Sequence, residues 1–256
     1  MPPLVDSPAW LGAHAHVMVG DLVTLTLTEA DRHHLARVLR IRPGTVVTAT
    51  DGLGSWRTCR APSGWPSAGD ELVADGSIVV AAQPTPTITL ALALTKGDKP
   101  EWAVQKLTEL GVDRIVLVSA ERSVVRWDPT KVDRNLTRLR SVAREALMQS
   151  RGVWMPTIEG VRTVAEVVAL NPDVAMAEFG GAEVSLGHPA VLIGPEGGWT
   201  EDELALVKHR VSLSAQVLRA ETAAVACVTV LATQRMVFLG KSLPPYLNQS
   251  ISQIVK

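Results

Sequence analysis

Two textures of hydrophobic and polar positions divide the chain. Up to about residue 85, short β-branched runs at Leu22–Leu27, Thr45–Thr50 and Ser77–Ala81 alternate with turn clusters such as Asp51-Gly52, Ser63-Gly64 and Asp75-Gly76. That alternation predicts a small β-barrel or sandwich. The exception is Asp31–Leu39, where Leu35, Val38 and Leu39 fall at helical spacing. Gln83-Pro84-Thr85-Pro86-Thr87 then reads as a linker, because proline fixes its own φ and pushes the preceding residue to extended backbone.

From Ile88 the period changes. Ile88–Leu94 is a run of apolar residues and threonine that suits a strand buried on both faces. Asp98 with Glu101 has capping-box spacing, Pro100 fits a first helical turn, and the helix is expected to stop at Gly111. Arg114–Ser119 is a second strand, and Val132, Leu136, Leu139, Ala143 and Ala146 mark a second helix. Val174–Ala177 and Ala190–Ile193 read as short strands. Thr200 and Glu203 open a helix to about His209, Val211–Leu218 is strand-like, and a long helix starts near Glu221. Strands alternating with helices predict an α/β domain built on a parallel sheet. The expected domains are 1–85 and 86–256.

Composition narrows the class. The 256 residues are 46% hydrophobic and 20% charged, which excludes wholesale disorder. Cys59 and Cys227 cannot form a disulfide framework, and no CxxC pair points to a metal site. Met1–Asp6 lacks a basic, apolar leader, and the apolar stretch Ala223–Thr233 is too short for a membrane span, so a soluble cytoplasmic protein with no membrane partner is expected. Lys plus Arg total 25 against 26 Asp plus Glu, so overall charge gives no hint of a nucleic-acid partner. Local charge does. Residues 121–151 carry eight cations (Arg122, Arg126, Lys131, Arg134, Arg138, Arg140, Arg144, Arg151) against four anions (Glu121, Asp128, Asp133, Glu145). The segment reads either as a solvated helix face or as a phosphate-binding surface with Trp127 available for stacking.

Two clusters sit at strand-to-helix junctions, where open α/β sheets bind ligands. Gly194-Pro195-Glu196-Gly197-Gly198 presents bare backbone. It lacks the Lys-Ser/Thr ending of a phosphate loop and is not G-x-G-x-x-G, so a plain tight turn is the competing reading. In Leu218-Arg219-Ala220-Glu221-Thr222-Ala223, Glu221 and Thr222 could simply cap a helix. Arg219 could not, since a cation at a helix N-terminus meets the wrong end of the dipole.

The pair of motifs Leu192-Ile193-Gly194-Pro195-Glu196-Gly197-Gly198-Trp199-Thr200 and Val217-Leu218-Arg219-Ala220-Glu221-Thr222-Ala223 resembles the SPOUT methyltransferases, and more narrowly the RsmE family of 16S ribosomal RNA (uracil-N3) methyltransferases. His33-His34-Leu35, Lys106-x-x-Glu109-Leu110-Gly111 and Glu121-Arg122-Ser123 agree with it, while Ser214-Ala215 stands where the family usually has Gly-Pro. The resemblance implies a parallel sheet with a C-terminal trefoil knot, an N-terminal PUA-like β-barrel, a homodimer, and 16S rRNA of the small ribosomal subunit as partner. It implies S-adenosyl-L-methionine as cofactor, held by Leu192, Ile193, Gly194, Pro195, Glu196, Gly197 and Gly198 on one side and by Leu213, Val217, Leu218, Thr222 and Ala223 on the other. Arg219 is expected to stabilise charge on the base, and Glu221, or else Glu196, to accept its proton. His33, His34, Arg37, Arg40, Arg122, Arg126, Gln149 and Arg151 are the expected RNA contacts. Two other readings stay open: a phosphate-binding α/β enzyme, and an inactive RNA-binding or ribosome-assembly module.

Overall fold

The computed structural model describes residues 12–67, 69 and 71–238; the Met1–Asp6 start considered above lies outside the described residues. Two compact units form. One runs to Gln83 and includes Ala143–Met155; the other comprises Pro84–Val142 and the chain from Pro156. Residues 143–155, read from sequence as part of the second domain, therefore group with the first.

In the first unit, β1 (Ala15–Met18) runs parallel to β2 (Val46–Thr50), and β2 pairs antiparallel with β3 (Ser55–Arg60). β3 also pairs with β4 (Val73–Ala74) and β5 (Val79–Val80). Leu22–Leu27 is not a strand: Asp21 accepts the Val23 and Thr24 N–H groups and holds a turn, leaving only a Thr26–Glu71 bridge. α1 (Glu29–His33) is capped by the Thr28 hydroxyl and continues as a π-helical turn over His34–Val38. Leu25, Leu35, Val47 and Ala49 are core residues, and Met148 from the returning segment packs against that core.

That segment is tied in by charge. Arg144 meets buried Asp31 at 2.6 Å and donates to the Met18 carbonyl at 2.8 Å. Buried His16 adds a neutral bridge: its Nδ1 is 2.8 Å from the Thr48 hydroxyl and its Nε2 is 2.9 Å from the Gly152 carbonyl. A carbonyl only accepts, so Nε2 carries the proton and Nδ1 takes the hydroxyl hydrogen.

The second unit is a six-stranded parallel sheet in the order β11-β9-β10-β6-β7-β8. Its strands are β6 (Thr89–Ala93), β7 (Arg114–Val118), β8 (Thr157–Arg162), β9 (Ala175–Glu183), β10 (Ala190–Ile193) and β11 (His209–Ser212). Its helices are α2 (Lys99–Glu109), α3 (Val132–Ser150, whose last turns group with the first unit), α4 (Val164–Leu170), α5 (Glu201–Leu206) and α6 (Ala220–Phe238). β6, β7 and β10 are almost wholly buried, as expected for sheet strands covered on both faces. Arg235 anchors α6 by pairing with Asp113 and donating to the Pro86 and Gly111 carbonyls, while Asp113 accepts the Ile88 N–H at 2.7 Å.

Four expectations change. Asp98 makes no capping bond, and Glu101 turns to Arg138 at 3.0 Å. The capping box at Thr200 and Glu203 forms, but α5 ends at Leu206 and His209 opens β11. Strand pairing stops at Ser212, so 213–219 is a loop and not strand. β8 and α4, the latter with its own Thr163–Glu166 capping box, were not foreseen.

Burial pushes the His16 ring down to about 4, so it folds neutral. Between the ordinary value near 6.5 and about 4 the unfolded chain binds a proton that the native state does not, and stability is lost as pH falls through that window. The loss is up to about 3 kcal/mol from this group alone. Urea denaturation of the wild type and His16→Gln at pH 7 and pH 4 is expected to show a smaller pH dependence in the variant; equal dependence would mean His16 is not the buried neutral group.

Candidate active site

The carboxyl ends of β10 and β11 and the middle of β9 open into a cavity of about 490 Å³. Four segments build its walls: the loop after β10, the loop after β11, the first turn of α6, and a part of β9. After β10, Gly194 must lack a side chain because a Cβ there would lie 2.9 Å from the Trp199 indole. Gly198 takes φ +70°, a conformation costly to other residues. The chain then enters α5 through the Thr200–Glu203 capping box. Glu203, fully buried, accepts the Thr200 N–H and also the Glu121 N–H at 2.9 Å, so the loop after β7 is tied to the same corner. Arg122 follows directly, its carbonyl 3.0 Å from where a Cβ on Gly197 would stand.

The structure brings most of the predicted cofactor residues to this cavity. Ile193, Gly194, Pro195, Glu196, Gly197 and Gly198 line it, as do Leu213, Val217, Leu218 and Ala223. Leu192 lies one residue deeper, fully buried in β10, and Thr222 is on α6 outside the lining. Arg219 is in the wall and Glu221 is not. At the departure from family pattern, the Ser214 hydroxyl accepts the Gln216 N–H at 3.0 Å and so holds a turn of its own.

Sequence reading missed Lys99. Its ammonium, at the start of α2, lies 2.9 Å from the Glu196 carboxylate and 3.7 Å from that of Glu221. Lys99 therefore links the glycine loop to the first turn of α6. Its hydrogen bond holds the Glu196 carboxyl below the ordinary glutamate range, and Glu196 in turn raises the Lys99 ammonium. Glu221 Oε2 is buried without a hydrogen-bond partner among the described residues. The pairings span 97 and more positions of sequence, so no local spacing announces them. The segment Ala177–Phe179 of β9 also lines the cavity and was not predicted.

The predicted RNA contacts divide between the units. His33, His34, Arg37 and Arg40 are exposed around the π-helical turn of the first unit, and Gln149 is exposed near the end of α3. Arg151, at φ +60°, donates to the Ala13 carbonyl at 3.0 Å. Arg122 and Arg126 are exposed in the second unit, after the carboxyl end of β7. Of the basic segment, Arg138 is held by Glu101, Arg140 donates to the Ile158 carbonyl, and Arg144 is held by Asp31. Arg122, Arg126, Lys131 and Arg134 have exposed side chains without such partners among the described residues. Neither a group of metal-ligating side chains nor a helix long and apolar enough to cross a membrane occurs among the described residues.

Comparison with known proteins places this geometry. Residues 82–232 match the model of an RNA methyltransferase domain, and residues 27–60 that of an RNA methyltransferase PUA domain. The chain is 32% identical over 209 residues to the ribosomal RNA small subunit methyltransferase E of Mycobacterium bovis, covering 75% of this chain and 79% of that one. It is 28% identical over 238 residues to the Bacillus subtilis protein of the same name, covering 85% and 93%. The crystal structure of the Neisseria gonorrhoeae protein of that name, bound to S-adenosyl methionine, superposes with a TM-score of 0.69 at 25% identity, covering 88% of this chain and 97% of that one.

Lys99→Met is expected to raise the Glu196 carboxyl toward the ordinary glutamate range, since it removes the largest of the interactions that hold it down. Carboxyl-carbon NMR titration reads this directly, and an unmoved Glu196 titration would show that the pair does not form in solution.

Proposed function

Since the chain belongs to the ribosomal RNA small subunit methyltransferase E family, we propose that it transfers the methyl group of S-adenosylmethionine to N3 of a specific uridine in 16S rRNA of the small ribosomal subunit. The observation that carries this reading is the convergence of the glycine loop and the 213–219 loop on one cavity, with Arg219 in its wall. The cavity is within the range that encloses small-molecule ligands. Its walls offer backbone groups for an adenine edge, apolar surface at Ile193, Leu213 and Leu218, and carboxylates at Glu178 and Glu196 to face a cationic ligand. These residues would hold the cofactor, which supplies an already electrophilic methyl group.

The work left to the chain is orientation and charge. Orientation of two reactants can supply ~7–11 kcal/mol. Uracil N3 is an imide nitrogen that must lose its proton, which leaves negative charge on O2 and O4. Arg219 stabilises that charge in the cavity. Glu221 or Glu196 accepts the proton; Glu196 lines the cavity, and Glu221 stands beside Lys99 with one oxygen unpartnered. N3 is on the pairing edge of the base, so the target must be single-stranded or flipped out.

The same reading carries a PUA-like barrel in the first unit that binds RNA, a trefoil knot formed by the two cavity loops, a homodimer, and a cytoplasmic setting. The matched PUA domain model and the parallel sheet order support it. Phosphate attraction falls to Arg122, Arg126, Lys131 and Arg134, the cations of the basic segment without an intramolecular partner among the described residues.

Tritium transfer from S-adenosylmethionine to unmodified small subunits and to naked rRNA, followed by nucleoside analysis, is expected to yield 3-methyluridine. Label in another nucleoside, or none, would contradict the assignment. Arg219→Ala is expected to lower kcat by about 10²–10³ with cofactor affinity retained. Unchanged turnover in Glu221→Gln or Glu196→Gln removes that residue as the acceptor. Neutralising Arg122, Arg126 and Arg134 together should flatten the salt dependence of RNA binding by about 0.7 in slope per cation; an unchanged slope would place the RNA elsewhere.

A further inference from the structure

The β9 strand departs from its neighbours at one place. Arg210 of β11 faces Met176, yet the next residue, Val211, faces Ala182, so Ala177–Gly181 leaves the β9–β11 ladder as a five-residue bulge. Both ends of the bulge are fixed. The Trp199 indole N–H donates to the Ala177 carbonyl at 3.1 Å. At the other end, a Cβ on Gly181 would meet the Arg210 and Val211 backbone at 2.6 Å, so only glycine allows the strands to close again. Bulges of this kind re-aim side chains beside binding sites. What this one aims is Phe179, which lines the cavity and is 56% exposed. Its backbone N–H is held by the Glu178 carboxylate at 2.9 Å. The chain has only two phenylalanines, and a fixed bulge that leaves one of them bare gains no burial from it.

An exposed aromatic residue on a cavity wall, carried by a backbone that is held in place, offers a stacking face for a planar ring. We propose that Phe179 is the residue on which the target uracil stacks when it enters the cavity, and so a determinant of substrate binding. The inference rests on the uridine-methylation reading above. Phe179 belongs to neither of the two loops proposed to hold the cofactor, and its ring stands open to an incoming base. Stacking is indifferent to which edge of the base reacts, so it would hold the uracil ring while leaving N3, O2 and O4 free for Arg219 and the proton acceptor.

Three variants separate the ring face from mere bulk. Phe179→Leu keeps apolar volume and loses the π face, Phe179→Tyr keeps the face, and Phe179→Ala removes both. Because the side chain is exposed, thermal unfolding should be unchanged in all three. With unmodified small subunits, the leucine and alanine variants are expected to raise KM for the subunit roughly ten-fold, and tyrosine to restore it. Calorimetric affinity for S-adenosylhomocysteine should stay the same. An RNA carrying 5-iodouracil at the target position is expected to crosslink to Phe179 on irradiation, a readout that needs no turnover. An unchanged KM, loss of S-adenosylhomocysteine affinity in Phe179→Leu, or a crosslink confined to other residues would each overturn the proposal. Failure of the wild type to produce 3-methyluridine would instead overturn the underlying function, while the crosslink would still report on stacking.

Discussion

The Trp199 indole is the contact on which the cavity depends. Its ring occupies the space that a side chain on Gly194 would need, and its N–H reaches the Ala177 carbonyl. One side chain thus sets how closely the loop after β10 turns and where the β9 bulge begins. Trp199 is itself 95% buried, at 5% exposure, so its ring cannot swing aside to admit a larger residue at 194. The glycines of the motif follow from this packing as much as from any ligand.

A second layer of interactions holds the corner in place by charge. Buried Glu203 takes two backbone N–H groups from different segments, which satisfies a carboxylate that would otherwise be costly to bury. Lys99 spans from α2 to the glycine loop and to the start of α6. Partly exposed pairs such as Lys99–Glu196 add little to stability, so the importance of Lys99 lies in where it puts the Glu196 and Glu221 carboxylates. At the far end of α6, the Arg235–Asp113 pair is largely buried and hydrogen-bonded to backbone on both sides, which fixes the helix relative to β6 and β7.

How far the sequence disclosed this can be judged residue by residue. β6, β7 and β10 were legible because strands covered on both faces must be continuous apolar runs. The Thr200–Glu203 box was legible because Thr200 is extended and can reach Glu203; the similar Asp98–Glu101 spacing misled because Asp98 sits at φ −90°, ψ 2° and Glu101 finds Arg138 instead. Thr157–Arg162 mixes polar and apolar residues as an edge strand can, and gave no clear period. Val211–Leu218 is strand-like in composition, but β9, its partner among the described residues, ends opposite Ser212 and the rest becomes cavity wall. Both cavity loops could be found from glycines and from a misplaced arginine. Lys99 and Phe179 could not: one acts through contacts distant in sequence, and the other is made notable only by its exposure. The pair Gly180-Gly181 inside a strand was the available hint of a bulge.

The central claim is that the packing of Trp199 on Gly194 shapes a cofactor pocket. Calorimetric titration of S-adenosylmethionine into the wild type and Gly194→Ala, with thermal unfolding as a control for folding, tests it most directly. The account predicts saturable binding to the wild type and its loss, or at least a ten-fold weakening by roughly 1.4 kcal/mol, in a variant that still folds. Equal affinity in the two proteins would contradict it.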